Sequence, residues 1–593
     1  VQDLSKPPVD RRNAADQSIV AHLLNGLFPT YRILRKLQTA KETNPVKRNC
    51  EDLQVCIFIA SYLLHDYEKF PDYKAWLIEN NIAERDWELD TPKKEDAPNL
   101  GRGYITKKIL DFGLHYLLGD EWQDFIDDII EISNNSGVKH DSDLGLATRG
   151  LKTLDDERID SRIRQVLIDL VSLSDLFASV VKHPRDVETG RLPNLISRLS
   201  NHQLKLTYHS LCENRGVLTN ILNNSLIEAH PEEFYTPLLY LPNGVVYLAS
   251  QDATEISTHH IPERVVDKVK SLCADKLRER QTGFNRDGKG LKFADYYWLF
   301  FDVIGLMKVS IDAACRLLPD SKTASSGKRG ESLQSYQTQG ELPTNLNLQF
   351  PNEIRIDRLA EFGDILCRGI WNSWCDRVKK AQKDIPKAKR KVPPELDLTQ
   401  KLAEYLELSE EIPAIRQIQS LKKTGGVPLD WYYLAAQYFR KHPGKDFAQI
   451  LEVMRGMVDY AASLIQPILQ EFQDIPDGWE DLKTYVKRVI SLPTGAVFAP
   501  ETEPFLLELK RYNAAKVTGR GRESVCAMSS SAYTVTEQME SATLFAPQVY
   551  SNRQILFNAQ AAKRQICSIW SIEIMLRQIL MNQTNAVGGD FES

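Results

Sequence analysis

An apolar run that ends in a histidine and an aspartate constrains this chain most strongly. The run covers residues 55–64 without a charge, and His65 and Asp66 follow it directly. A helix that is apolar on nearly all sides is buried, and an unpaired carboxylate beside a core costs several kcal/mol. A divalent cation such as Mn²⁺, Mg²⁺, Ni²⁺ or Fe²⁺ accepts an imidazole nitrogen together with a carboxylate oxygen. The sequence therefore predicts a divalent metal ion at this pair.

Three further positions are predicted to complete the metal ligands. His22 and Asp175 each lie in an apolar helical segment, and His140 follows an Asn-rich turn. His115, on a predicted helix before that turn, is a weaker candidate. The alternative is a His-Asp dipeptide that arose by chance and binds no metal.

The order of these residues resembles the HD superfamily of metal-dependent phosphohydrolases. There a bound cation lowers the pKa of a water molecule and holds the scissile phosphate, so that hydroxide attacks phosphorus at neutral pH. His65 and Asp66 are therefore predicted to be catalytic as well as metal-binding. Lys139 is predicted to help neutralise the phosphate.

The pattern of apolar residues predicts a mainly α, multidomain protein, since 593 residues exceed one hydrophobic core. Spacings of three and four residues predict an all-helical domain over residues 1–188, with helices near 19–37, 53–64, 125–132 and 163–181. Residues 189–262 are predicted to form a small α+β region, in which a polar helix-like segment from about 203 precedes a hairpin. Asn243 and Gly244 between two apolar runs are the hairpin signal.

The remaining sequence returns to helix. We predict a helical insertion over residues 263–400 with a mobile polar loop at 321–340, then a helical region over 401–511. The last segment, 512–593, is irregular until an apolar helix that starts at Cys567.

The cysteines indicate the compartment of this protein, and its charged residues indicate where nucleic acid could bind. The nine cysteines include no C-x-x-C pair, and no apolar run approaches eighteen residues, so we predict a reduced, cytoplasmic protein that is neither exported nor membrane-spanning. A net charge of −6 repels phosphate weakly, so nucleic-acid contacts must come from local basic patches. A solvated linker is the alternative for the main patch. The predicted nucleic-acid-binding residues are Lys379, Lys380, Lys383, Lys387, Lys389, Arg390, Lys391, Arg520 and Arg522.

Several segments carry a resemblance to a known family, the large subunit of type I-D CRISPR surveillance complexes. They are residues 16–30, 60–70, 212–224, 239–248, 512–516, 544–550 and 575–582. The resemblance implies an HD nuclease domain that cuts DNA, a palm-like (ferredoxin-like) region over 189–262 and a zinc-knuckle region over 512–593. It also implies that the chain stops short of a second palm.

Membership would imply partners as well. They are guide RNA and target DNA, Cas7-like backbone, Cas5-like and small subunits, and a helicase or transposition proteins. In such complexes base pairing reads the target sequence and protein reads a short flanking motif. Two alternatives stay open: a catalytically silent, binding-only large subunit, and a free-standing HD phosphohydrolase acting on nucleotides.

The zinc knuckle departs from the family pattern. The family carries paired cysteines, whereas Cys526 and Cys567 each keep only the first of a pair. Two thiolates are too few for a closed tetrahedral zinc site. We therefore predict no structural zinc and a region held by packing, in part through Trp570.

Overall fold

The chain, a computed structural model, forms two compact units. One comprises Val1–Asn214, Leu222–Ile261 and Lys487–Ala499, and the other comprises Arg215–Ile221, Pro262–Val486 and Pro500–Ser593. The fold is mainly helical with small antiparallel sheets, which confirms the predicted mainly α class. The structure describes residues 18–80, 102–136, 160–254, 256, 259–382, 386, 389–472, 478–493, 510, 513, 526, 528, 535–537, 565–580, 582–583 and 591–592.

The helices of the first unit confirm the helical segments predicted before residue 188. Ser18 begins the first of them, because its side chain accepts a hydrogen bond from the Ala21 N–H at 3.1 Å. The helices are α1 (Ile19–Gln38), α2 (Pro45–Asn49), α3 (Asp52–Leu64), α4 (Tyr73–Glu79), α5 (Arg102–Asp111), α6 (Leu114–Leu118), α7 (Ile126–Asn135), α8 (Ser161–Ser179) and α9 (Leu192–Leu199).

The core of this unit lies where α1, α3, α7 and α8 pack together. Phe58, Ile129 and Leu170 are fully buried there. At Gly26 the approach between elements is very close: a Cβ atom would lie 2.3 Å from the Ser174 carbonyl oxygen and 2.1 Å from the Tyr62 hydroxyl. Only glycine lets α1 lie this near to α8, so the residue sets the distance between two helices that carry candidate metal ligands.

Strands are few and short. The strands that the structure describes are β1 (Leu204–Leu211), β2 (Tyr235–Leu241), β3 (Gly244–Ser250), β4 (Phe284–Asp287), β5 (Gly290–Phe293), β6 (Ile490–Ser491), β7 (Val535–Glu537), β8 (Gln565–Cys567), β9 (Asn582–Gln583) and β10 (Phe591–Glu592). The largest sheet is antiparallel, in the order β2-β3-β1-β6. The hairpin predicted at Asn243 and Gly244 is confirmed, since it joins β2 to β3.

The start of this sheet corrects one prediction. Residues 204–211 form strand β1 rather than the beginning of a polar helix. Leu206 lies opposite Leu248 of β3 in the register, and apolar residues alternate along the strand at Leu204, Leu206 and Tyr208. The helix follows only at Val217–Ala229.

The later helices confirm the helical character predicted between residues 263 and 490 and after Cys567. Residues Ile365–Asn372 form a π-helical segment that leads from one helix into the next. The helices are α10 (Val217–Ala229), α11 (Ile261–Arg280), α12 (Tyr297–Phe300), α13 (Val303–Leu317), α14 (Ser326–Thr338), α15 (Ile354–Asp364), α16 (Ser373–Ala381), α17 (Leu398–Tyr405), α18 (Ile412–Gln419), α19 (Leu429–Lys441), α20 (Phe447–Gln470), α21 (Glu480–Val489) and α22 (Ser568–Leu580).

Two features of the second unit differ from the sequence prediction. The predicted loop at 321–340 is wrong, because most of it forms helix α14. Its polar composition hides a narrow buried stripe at Ser326, Gly330 and Leu333, which is enough to hold a helix against the unit. The β4–β5 hairpin was not predicted within its helical surroundings.

In the last described helix, half-buried Trp570 lies against the buried Arg215. The Arg215 guanidinium lies 4.9 Å from the centre of the Trp570 ring and 5.9 Å from that of Tyr485. The fully buried Glu573 carboxylate accepts hydrogen bonds from the backbone N–H groups of Val217 at 3.1 Å and Leu218 at 2.8 Å. A carboxylate therefore caps the first turn of α10.

Cys526 and Cys567 are both buried. The backbone N–H of Met528 donates to Cys526 Sγ at 3.4 Å. The zinc-free knuckle stays a prediction. None of the described helices is both long enough and apolar enough to cross a lipid bilayer.

Candidate metal centre

Three helices of the first unit bring four predicted ligands together. His22 lies in α1, His65 and Asp66 directly follow α3, and Asp175 lies in α8. The relative exposures are 0% for His22, 3% for His65, 6% for Asp66 and 8% for Asp175. The chain thus buries two imidazoles and two carboxylates almost completely, and each of these groups loses the free energy of its hydration.

The four side chains face one another. His22 Nε2 lies 3.4 Å from Asp175 Oδ1 and 3.6 Å from Asp66 Oδ2. His65 Nε2 lies 3.5 Å from Asp175 Oδ1 and 3.7 Å from Asp66 Oδ2. Ligand atoms of His22, His65 and Asp175 all lie within 4.8 Å of one another, whereas Asp66 approaches the two imidazoles but is not part of this group of three. Metal–ligand bonds of about 2.0–2.2 Å require such separations, so the donor set fits a divalent cation.

The protonation of His65 also suits a metal ligand. Its Nδ1 lies 2.6 Å from the Tyr62 carbonyl oxygen, which can only accept, so Nδ1 carries the hydrogen. In the neutral ring Nε2 then presents a lone pair towards the carboxylates of Asp66 and Asp175. A cation bound between them would turn this repulsion into coordination. The Tyr62 ring stacks on His65 with centroids 4.8 Å apart and holds the imidazole in this orientation.

Asp175 is ionised at neutral pH. Burial alone would raise the pKa of its carboxyl, but in the metal-free site the facing imidazoles of His22 and His65 outweigh burial and hold the pKa below its usual range. The Ser179 hydroxyl donates to Asp175 Oδ1 at 2.8 Å and also lowers the pKa of Asp175.

A hydrogen bond joins two of the helices beside the site. The Tyr62 hydroxyl of α3 donates to the His22 carbonyl oxygen of α1 at 3.1 Å.

Lys69 is a residue of this site that sequence reasoning missed. Its Nζ lies 2.5 Å from Asp66 Oδ1, and the side chain is 23% exposed. The residue follows Asp66 by one short helical turn, Tyr67–Lys69, which places both side chains on the same side. The three-residue spacing from Asp66 could have identified Lys69, whereas the sequence analysis predicts that Lys139 neutralises the phosphate.

The other predicted site residues fall elsewhere. His115 stays outside the cluster; its ring lies against Tyr116, with centroids 3.9 Å apart, and near Trp122. Lys139 and His140 lie outside the residues that the structure describes.

The basic patch is only partly described. Lys379 and Lys380 are exposed at the end of α16, and Lys389 and Lys391 are exposed after it, with Arg390 half-buried between them. Lys383, Lys387, Arg520 and Arg522 are outside the described part. Nucleic-acid binding by the patch stays a prediction.

No protein-family model matches this chain, and none of the curated proteins matches it.

Proposed function

We propose that this chain is a divalent-metal-dependent phosphodiesterase of the HD type that cuts DNA. The observation that carries the proposal is the convergence of His22, His65, Asp66 and Asp175 on one buried point from three helices. A sequence-distant set of two imidazoles and two carboxylates has no need to converge for the sake of packing, since burying it costs free energy. Coordination of a cation offsets that cost.

Each residue has a distinct task in this proposal. His22, His65, Asp66 and Asp175 would hold a divalent cation, which would supply a water molecule of lowered pKa and polarise a phosphoryl oxygen. His65 is held by Tyr62 in the tautomer that exposes Nε2, and Asp175 is kept ionised by its neighbours. Lys69 offsets the charge of Asp66 and lies close enough to attract a non-bridging phosphate oxygen of the substrate.

We further propose that the chain acts as the large subunit of a type I-D CRISPR complex, with guide RNA, target DNA and the Cas7-like, Cas5-like and small subunits as partners. The connectivity of the main sheet supports this. In chain order β1, α10, β2 and β3 are followed, after the helical insertion, by α21 and β6, with the sheet order β2-β3-β1-β6. That is the βαββαβ connectivity of ferredoxin-like folds, the fold expected of the palm-like region.

The test is cleavage of single-stranded DNA by the chain purified with its neighbouring proteins. Mn²⁺, Mg²⁺, Ni²⁺ and Fe²⁺ are supplied separately after removal of bound metal. We expect cleavage with at least one of these ions, and a loss of about 100-fold or more in a variant with His65→Ala and Asp66→Ala. The matched control is His115→Ala, a histidine of the same unit outside the cluster.

Two results would overturn the proposal. Cleavage by the double variant at the rate of the unaltered chain would remove the metal centre from the reaction. Hydrolysis of mononucleotides without cleavage of DNA would make the substrate class wrong. Copurification of guide RNA and of Cas7-like subunits tests the placement in a CRISPR complex separately.

A further inference from the structure

Four segments of the second unit that are distant in sequence meet along one surface. The loop that contains Gly426 contacts the β4–β5 hairpin, since a Cβ atom on Gly426 would lie 3.4 Å from Lys289 Cδ. The other end of the hairpin contacts α12, where the ring centres of Phe293 and Trp298 lie 5.9 Å apart. The Arg377 guanidinium of α16 lies 5.4 Å from the centre of the Trp298 ring. The contacts therefore connect the loop, through the hairpin and α12, to α16.

The exposed charges of these segments are mostly positive. Seven exposed lysine and arginine side chains stand against three exposed carboxylates, although the whole chain carries a net charge of −6. Two of the carboxylates are paired: Asp287 with Lys292, and Asp376 with Lys379 at 3.8 Å. The segments are residues 284–293, 295–300, 373–381 and 421–427, with the exposed cations Lys289, Lys292, Arg377, Lys379, Lys380, Lys422 and Lys423 and the exposed acids Asp287, Asp295 and Asp376. We call these seven cations the cationic surface.

The cationic surface fits the backbone of a nucleic acid. A cation that neutralises a phosphate releases bound counterions, and this gain does not depend on the base sequence. Strand β5 has four residues, so at about 3.3 Å per residue roughly 13 Å separate Lys289, just before it, from Phe293 at its end. Phosphates lie about 3.4 Å apart along the axis of one B-form strand, so this distance covers several of them.

Arg377 and Trp298 add a place for a base. Trp298 is half-buried and Arg377 is exposed, so the ring supports one side of the guanidinium while the residue remains open to solvent. Unpaired bases stack on guanidinium planes as well as on aromatic rings. The bases of a duplex stack on one another instead. This pair therefore favours an unpaired strand.

We propose that the cationic surface binds a single strand of DNA. Lys289 and Lys380 contact phosphates of the strand, and one base stacks on the Arg377 guanidinium on the side away from Trp298. Of the seven cations, only Lys379 and Lys380 belong to the basic patch predicted from the sequence. The choice of DNA as the ligand rests on the proposed nuclease function, but the surface includes no residue of the metal centre.

The test of the phosphate contacts is fluorescence anisotropy of the full chain with a labelled thymine strand. A strand of roughly 16 nucleotides reaches the upper end of the site sizes of single-strand-binding domains. Divalent metal is left out, so that no strand is cut. Lys289→Gln with Lys380→Gln should weaken binding and reduce the slope of log affinity against log salt concentration by about 1.4, since each lost phosphate contact contributes about 0.7.

The matched control removes two charges elsewhere in the same unit. Lys308→Gln with Lys441→Gln changes exposed lysines of α13 and α19, outside the cationic surface, and should leave the slope unchanged. An unchanged slope in Lys289→Gln with Lys380→Gln, or an equal reduction in the control, would overturn the proposal.

An abasic strand isolates the base contact, because it keeps the phosphates and lacks the bases. Arg377→Lys keeps the charge but loses the planar group, so it should weaken binding of the thymine strand about fivefold or more. The abasic strand should bind equally to the unaltered chain and to Arg377→Lys. Equal binding of the thymine strand by the two proteins, or an equal loss with both strands, would contradict the stacked base.

Further strands test the choice of ligand. The same variants are measured with a uracil RNA strand and with a DNA duplex, and a loss of affinity confined to either of these would overturn the assignment to single-stranded DNA. His65→Ala with Asp66→Ala should bind the thymine strand as tightly as the unaltered chain. Absent cleavage with intact strand binding would then count against the nuclease alone, and absent strand binding would count against the cationic surface.

Discussion

Gly26→Ala should disturb the metal centre without touching a ligand. The new Cβ atom would lie 2.1 Å from the Tyr62 hydroxyl and 2.3 Å from the Ser174 carbonyl oxygen. Ordinary contacts exceed 3 Å, so α1 must move by roughly 1 Å relative to α8, and overpacking of this kind costs about 1–3 kcal/mol. Improved helix propensity returns at most about 1 kcal/mol. Contacts this short call for the upper end of that cost, so the free energy of unfolding should fall by about 2 kcal/mol.

The displacement of α1 relative to α8 also separates two candidate metal ligands, His22 and Asp175. His22 lies one helical turn before Gly26, and its Nε2 is 3.4 Å from Asp175 Oδ1 on α8. Metal sites tolerate errors of only about 0.2 Å in ligand distance, so Mn²⁺ affinity should fall at least tenfold. Chemical denaturation and Mn²⁺ titration measure the two effects, and Leu24→Ala, on the exposed face of α1, is the matched control. Unaltered stability and Mn²⁺ affinity in Gly26→Ala would refute the close packing of α1 on α8.

Three further predictions concern other parts of the chain. Lys69→Met should slow single-turnover DNA cleavage by about 10- to 100-fold at unchanged metal content, and Lys69→Arg should restore part of the rate. If Lys69→Met loses its bound metal, Lys69 has a structural role and the prediction is wrong. Burial lowers the pKa of His209 to about 3 and of His230 to about 4, from 6.5, so the unfolded chain binds more protons below pH 6.5. The free energy of unfolding should then fall by up to about 1.4 kcal/mol per pH unit for each histidine as the pH drops from 6.5 to about 4. Denaturation of His230→Phe at a series of pH values should show a smaller fall in this free energy per pH unit; a fall equal to that of the unaltered chain would contradict the prediction. Gly216 has φ 73°, and a Cβ there would lie 2.5 Å from Glu573 Oε1, so Gly216→Ala should lower the unfolding free energy by about 1–3 kcal/mol; a wild-type melting curve would contradict this.

Much of the helical first unit follows from its sequence. Apolar spacing located α1, α3 and α8 because each buries a broad face. Helix α14 escaped prediction since only a narrow stripe of it is buried, and strand β1 escaped prediction since its alternating apolar residues extend only from Leu204 to Tyr208. The Asn243–Gly244 hairpin was predictable because its turn chemistry is local.

The candidate metal centre was predictable where polar residues interrupt apolar helices. His22, His65, Asp66 and Asp175 each stand out against such a background, and the fold brings them together. The tautomer of His65 was not predictable, because it depends on the direction of one backbone carbonyl.

The most direct test of the central claim is the number of divalent ions bound to the first unit of the intact chain. Mn²⁺ titration followed by electron paramagnetic resonance counts tightly bound ions in the unaltered chain and in Asp175→Asn, which keeps the shape of a ligand but loses its charge. The account predicts at least one tightly bound Mn²⁺ ion in the unaltered chain and a weakening of at least tenfold at that site in the variant. Equal Mn²⁺ binding by the two proteins would contradict it.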